Sequence, residues 1–179
     1  GNGIQERGAR RKRGKVILLV FCSLIYSSAL QATEFILVDK SAKVSIVYSS
    51  KGPVIDSITA NLLADDIERI TTFRPAVLTD ISEASGKVII IGNIQSSLIQ
   101  NLIGKNSAMY KNLSGKWECY GLLVLNEPVK NISQALIIAG SDKRGTAYGV
   151  FSISEKIGVS PWYWWADVRP IRKKELVVN

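Results

Sequence analysis

Two short, unbroken apolar runs constrain this chain more than anything else in it. KVIIIG occupies residues 87–92 and ALIIA residues 135–139. A strand with one wet face alternates polar and apolar side chains, because successive residues point to opposite sides. An unbroken run suits a strand buried on both faces, as in a sheet covered by helices on each side. With the remaining candidates the order reads β-β-α-β-β-α-β-β-α, then a terminal strand. The expected fold class is α/β, with a mixed β-sheet flanked by helices on both faces in a single domain.

The other elements follow from periodicity and punctuation. Residues 35–39 and 44–48 are strand candidates, the second alternating through Val44, Ile46 and Tyr48. Gly52-Pro53 opens a helix, with Pro53 suited to its first turn. Ile55, Ile58, Leu62, Ile67 and Ile70 give that helix an apolar face, and Asp65, Asp66, Glu68 and Arg69 fall largely outside it. Residues 76–79 are a short strand, 82–86 a turn, and 95–103 a helix with Leu98, Ile99 and Leu102 inward. A loop is expected over 106–116, a strand over 117–125 and a turn over 126–131. Residues 172–178 are a last strand or a linker. No internal repeat is evident.

Residues 140–170 read GSDKRGTAYGVFSISEKIGVSPWYWWADVRP. Asp142 or Ser141 is placed to cap a helix, accepting from an otherwise unpaired amide. Ala147, Val150, Phe151, Ser154 and Ile157 form the expected core-facing stripe, and Gly158 the left-handed C-terminal residue. Gly145 and Gly149, one turn apart, leave a strip where the sheet can approach closely. Pro161 opposes helix, so the following residues are expected to be extended. Trp162 and Trp164 then face one side, Tyr163 and Trp165 the other. A domain of this size covers one such face and leaves the other for a partner.

Charge and composition remove several function classes. The chain carries 23 Lys/Arg against 15 Asp/Glu, a formal charge of +8. Six of those bases (Arg7, Arg10, Arg11, Lys12, Arg13, Lys15) lie before residue 33, and the rest of the chain is nearly balanced. No basic stripe with interleaved aromatics appears there, so no nucleic-acid partner is expected. The chain has no histidine, which excludes Ser-His and Cys-His catalytic pairs and histidine metal sites.

Residues 1–32 read as an N-terminal extension and secretory signal. A basic run (10–15) precedes an apolar run (16–26) and a small-residue segment with cleavage after Ala29 or Ala32. Eleven apolar residues are too short to span about 30 Å of hydrocarbon as a helix. The expected location is secreted or periplasmic, with no stable membrane association after processing. The opening Gly1 suggests a fragment whose start lies upstream. Phe21 before Cys22 is too large for a lipoprotein signal. Processing leaves Cys119 as the one cysteine, expected to be buried and structural.

The chemical signals are weak beside their structural readings. GSDKRG follows a strand and opens a helix, as phosphate loops do. Thr146 and Ala147 stand where the Walker pattern needs lysine and a hydroxyl, so no nucleotide is expected. Asp65 and Asp66 are adjacent on a helix, point about 100° apart and cannot converge on one atom. No metal and no cofactor is expected. Arg144 is the one candidate ligand-binding residue, since arginine matches a carboxylate bidentately.

GSDKRGTAYGVFSISEKIGVSPWYWWADV and the GKWE string at 115–118 resemble the end of the N-terminal domain of glycoside hydrolase family 115, the xylan α-1,2-glucuronidases. A match of this length is far more specific than a short motif. The resemblance implies a non-catalytic domain (33–170) of a secreted enzyme that removes glucuronic or 4-O-methylglucuronic acid from xylan. Residues 171–179 are then the last strand or the start of a linker to a catalytic (β/α)8 barrel. The barrel carries the family's catalytic carboxylates, so none is carried onto this chain, which alone is expected to be inactive. Asp142, Arg144, Trp162, Tyr163, Trp164 and Trp165 are the expected domain interface. The partners implied are the barrel of the same polypeptide and, for the parent, a xylan-type polysaccharide. The alternative is a free-standing secreted carbohydrate-binding or interaction module. The sequence departs from the family at Thr72, where glycine is usual. A β-branched residue takes a left-handed helix end poorly, so the helix is expected to end without that cap.

Overall fold

The protein is described from a computed structural model that covers residues 34–38, 43–160 and 170–178. The signal-like segment within 1–32 and the aromatic run 162–165 lie outside the described residues. The elements are β1 (Phe35–Val38), β2 (Ser45–Tyr48), α1 (Val54–Thr71), β3 (Val77–Leu78) and a 3-10 turn (Ile81–Glu83). They continue with β4 (Gly86–Asn93), α2 (Ser97–Ile103), α3 (Ala108–Leu113), β5 (Tyr120–Asn126), β6 (Ile132–Gly140), α4 (Lys143–Ile157) and β7 (Leu176–Val178).

Five strands form one sheet in the order β3-β2-β4-β6-β5. β2, β3, β4 and β6 run parallel, and β5 returns antiparallel to β6. The two apolar runs are the neighbouring central strands, paired Ile89↔Leu136, Ile90↔Ile137 and Ile91↔Ile138. Their alternation sorts them into two cores. Ile46, Ile89, Ile91, Leu136 and Ile138 pack with Ala60, Leu63 and Ile67 of α1 and Val150, Ile153 and Ile157 of α4. Val47, Val88, Ile90, Ala135 and Ile137 pack with Ile99 of α2 and Leu113 of α3. Each fully buried Ile or Leu contributes about 1.5–3 kcal/mol. The sheet is therefore mixed and covered by helices on both faces.

A second, two-stranded sheet pairs β1 with β7 in antiparallel register. It adds Phe35, Leu37, Leu176 and Val178 to the α1/α4 core. The segment leading into β7 also serves two helix C-termini: the Lys173 amide donates to the Ile70 carbonyl and its Nζ to the Ile157 carbonyl.

Several expectations are corrected. α1 is rotated from its expected face. Asp56, Thr59, Ala60, Leu63, Ala64, Asp66, Ile67 and Ile70 are buried, whereas Ile58 is 48% exposed. Its many apolar residues define more than one stripe, and packing against the sheet selects the one that includes two aspartates. On α4, Ile153 takes the inward place expected for Phe151, which is 48% exposed. Val47 is as buried as Ile46, so β2 is a two-faced strand rather than an alternating one. The expected loop at 106–116 contains α3, whose start is capped by the Ser107 hydroxyl accepting from the Tyr110 amide. β5 begins at Tyr120, because Glu118 takes a positive φ of 55° and Trp117 is exposed. Thr72 does adopt the left-handed cap (φ 68°) despite its β-branch, its amide donating to the Glu68 carbonyl.

Candidate functional site

The 140–146 string folds into a self-satisfied junction between β6 and α4. Asp142 caps the helix: Oδ1 accepts from the Gly145 amide at 2.8 Å and Oδ2 from the Glu118 amide at 2.9 Å. Those two bonds hold its pKa below the ordinary aspartate value. Ser141 exchanges two further bonds with Cys119, through its amide and its hydroxyl. Gly145 is required by this contact, since a Cβ there would lie 2.1 Å from the Cys119 carbonyl oxygen. The helix N-terminus that resembles a phosphate loop is thus filled by its own carboxylate.

Arg144 donates to Glu118 Oε1 at 2.7 Å, and its side chain stays 69% exposed. Around that ion pair lies an exposed aromatic face. Tyr148 and Phe151 project one turn apart from α4, Tyr120 packs beside Gly149, and Trp117 adjoins Glu118. Trp117 is 85% exposed. Large aromatics grouped in this way are a surface suited to covering by another protein segment.

A second feature comes from strand order and was not read from the sequence. β2 and β4 are parallel neighbours, yet the chain leaves β2 into α1 on one face and β4 into α2 on the other. In open α/β sheets such a divergence opens a crevice at the carboxyl ends of the strands, the usual place for a ligand. Here the crevice is lined by Ser49, Lys51, Gly52, Pro53, Asn93, Gln95, Ser96 and Ser97. Its walls are braced internally: the Gly52 amide donates to the Ser49 carbonyl, and Asn93 Oδ1 accepts from the Gln95 amide.

Directly behind this wall sits Asp56, in the first turn of α1. It is fully buried, and neither carboxylate oxygen has a hydrogen-bond partner among the described residues. A Cβ on Gly52 would approach Asp56 Oδ2 to 2.7 Å, so the carboxylate abuts bare backbone of the crevice wall. Burial pushes its pKa up to about 6. No side chain caps the start of α1. A sequence signal for this group existed: Asp56, Ala60, Leu63, Ile67 and Ile70 share one helical spacing, which an aspartate opens.

The carboxylates that were considered for catalysis are held apart. Asp65 pairs with Arg74, and Asp66 with Arg69 at 2.6 Å. Asp66 is not the solvated residue expected; it is 8% exposed, on the α4 side of the helix. Burial raises its pKa, while the ion pair with Arg69 opposes the rise. Cys119 is half-buried rather than fully buried, packed at the edge of the α2/α3 core. Among the described residues no cluster of three or more His, Cys, Asp or Glu could hold a metal, and no helix is long and apolar enough to cross a membrane.

An α/β domain with an open mixed sheet, a switch-point crevice and several exposed aromatic side chains is the class these features define. No protein-family model matches the chain, and no curated protein matches it. Among solved structures it is similar to a family GH115 4-O-methyl-α-glucuronidase with specificity for decorated arabinogalactans. The sequences are 28% identical, with a TM-score of 0.62 over 81% of this chain. The chain spans only 17% of that protein's length. The likeness supports a glycoside-hydrolase-related domain.

Proposed function

We propose that this chain is a non-catalytic domain of an exported glycoside hydrolase that removes glucuronic or 4-O-methylglucuronic acid side chains from a plant polysaccharide. The observation that carries the reading is the structural likeness over 81% of the chain to a 4-O-methyl-α-glucuronidase. Sequence resemblance favours xylan as the polymer, and the structural neighbour's specificity brings arabinogalactan beside it. The docking face for the catalytic barrel of the same polypeptide is Arg144 with Glu118, Trp117, Tyr120, Tyr148 and Phe151. Glycoside hydrolysis generally needs two carboxyl groups flanking the bond. Asp65 and Asp66 are instead each committed to a separate ion pair.

Uronic acid release from glucuronoxylan and from arabinogalactan tests the reading. The 179-residue chain releases none, and a polypeptide carrying it together with the barrel does. Mutation-sensitive turnover by the chain alone contradicts the non-catalytic role, and inactivity of the longer polypeptide on both polymers contradicts the enzyme class. Export by residues 1–32 is checked by N-terminal sequencing of secreted material, which should begin after Ala29 or Ala32.

A further inference from the structure

We infer that the outer edge of β5 pairs with the same edge of a second copy of this chain, joining two five-stranded sheets across a two-fold axis at Leu123. The inference goes beyond the proposed function and leaves Arg144, Tyr148 and Phe151 of α4 to the barrel.

The two edges of the sheet are finished differently. β3 closes one edge with only Val77 and Leu78, between Pro75 and Asp80. Short strands, proline and charge are the usual means of keeping an edge from pairing with another chain. β5 closes the other edge with seven residues, YGLLVLN, without charge, proline or a bulge in its register with β6. Residues 121–125 are half-buried, Leu122 and Val124 on the α1/α4 side and Leu123 and Leu125 on the α2/α3 side. The rim therefore shows apolar side chains on both faces.

Bonds at the two ends of the ladder fix where each backbone group points. The Ser141 amide donates to the Cys119 carbonyl, and the Glu127 amide to the Ser133 carbonyl. Bonded residues alternate along an antiparallel pair, so the odd-numbered residues of β5 turn their amides and carbonyls to β6. Those of Tyr120, Leu122, Val124 and Asn126 point outward, where no described strand pairs with them.

That edge is complementary to itself. A two-fold partner necessarily runs antiparallel, each contact being repeated across the axis. One register pairs all four outward residues, Tyr120 with Asn126 and Leu122 with Val124 of the other copy. Leu123 then meets Leu123 on the axis, and no charge faces another within the span. The acid just before it, Glu118, is already paired with Arg144. The ends match as well: Trp117, 85% exposed before β5, falls beside Val129, 39% exposed after it, on the second copy. One strand a side is a small interface, so the dimer is weak, with a Kd on the order of 0.1 mM.

Sedimentation equilibrium of the 179-residue chain, at concentrations spanning that Kd, should show dimer accumulating. Amide hydrogen exchange at Leu122 and Val124 should slow over the same range, a readout that needs no variant. Val124→Pro removes an outward amide and no bond to β6, so it should abolish the dimer. Leu123→Glu and Leu123→Lys put like charges on the axis, and each alone should be monomeric. Their equimolar mixture should dimerise again, which misfolding of either variant cannot produce. A chain that stays monomeric throughout, exchange at Leu122 and Val124 that ignores concentration, or association that Val124→Pro leaves unchanged would overturn the proposal. None of these results bears on whether the longer polypeptide cleaves uronic acid.

Discussion

Helices α1 and α4 leave the carboxyl ends of parallel strands and pack on the same face of one sheet, yet they are finished in opposite ways. α4 begins with Asp142, whose two oxygens are both satisfied, and ends at Gly158 in the left-handed conformation. α1 begins without a side-chain cap, buries in its first turn an Asp56 with no partner among the described residues, and holds Thr72 in the left-handed region. Residues that make α4 read clearly in the sequence are there for stability. Those that make α1 hard to read break the local rules, which is what functional positions do. The α4 junction is therefore closed structure, while the start of α1 buries a carboxylate with no partner among the described residues.

The largest expected effect tests how tightly the α4 junction is closed. Gly145→Ala puts a methyl 2.1 Å from a backbone carbonyl oxygen. It should cost about 3 kcal/mol or more in urea unfolding. Gly52→Ala, at the start of α1, meets Asp56 Oδ2 at 2.7 Å and the Ser49 carbonyl oxygen at 3.0 Å, a looser approach than the one at Gly145. It should cost distinctly less, and equal costs would erase the contrast.

Asp56→Asn comes next and has the opposite sign. The folded pKa of about 6 stands above the ordinary 3.8, so the folded state prefers the neutral carboxyl. That preference is fully present below pH 3.8 and is lost as pH rises through about 6. Replacing the group should therefore stabilise the protein at pH 7 by up to about 3 kcal/mol and change little at pH 3.5. Thermal melts at the two pH values check both halves.

Asp142→Ala should destabilise by about 1–2 kcal/mol, the usual cost of losing a helix cap. Its pKa is lowered, so the penalty is greatest near neutrality and shrinks as pH falls through the folded value. The smallest effect is at the far end of α1. Thr72→Gly relieves a strained φ and should gain about 0.5–1 kcal/mol, glycine's own entropy cost offsetting part of the relief. Gly158→Thr on α4 should lose a similar amount.

What the sequence made legible follows the same division. The two-faced strands β4 and β6 were readable because double burial leaves no polar residue in the run. The α4 cap and its glycines were readable because each serves a local contact. The face of α1 was misjudged because Val54, Ile55, Ile58 and Leu62 supply an apolar alternative to the stripe through Asp56 and Asp66. α3 was missed because it is only six residues long, and its apolar contacts, Met109 and Leu113, lie against β5. The pairing of β1 with β7 joins segments from opposite ends of the domain, which no local pattern encodes. The crevice is a product of strand order, so only Asp56, standing in an apolar stripe, foreshadowed it.

Carboxyl-carbon NMR titration of the 179-residue chain compares the two helix starts in one experiment. The account predicts that Asp56 titrates near pH 6 while Asp142 titrates below the ordinary 3.8. Asp56 titrating at or below 3.8, with Asp142 at or above it, would contradict the claim that α4 begins in closed structure and α1 beside an unsatisfied site.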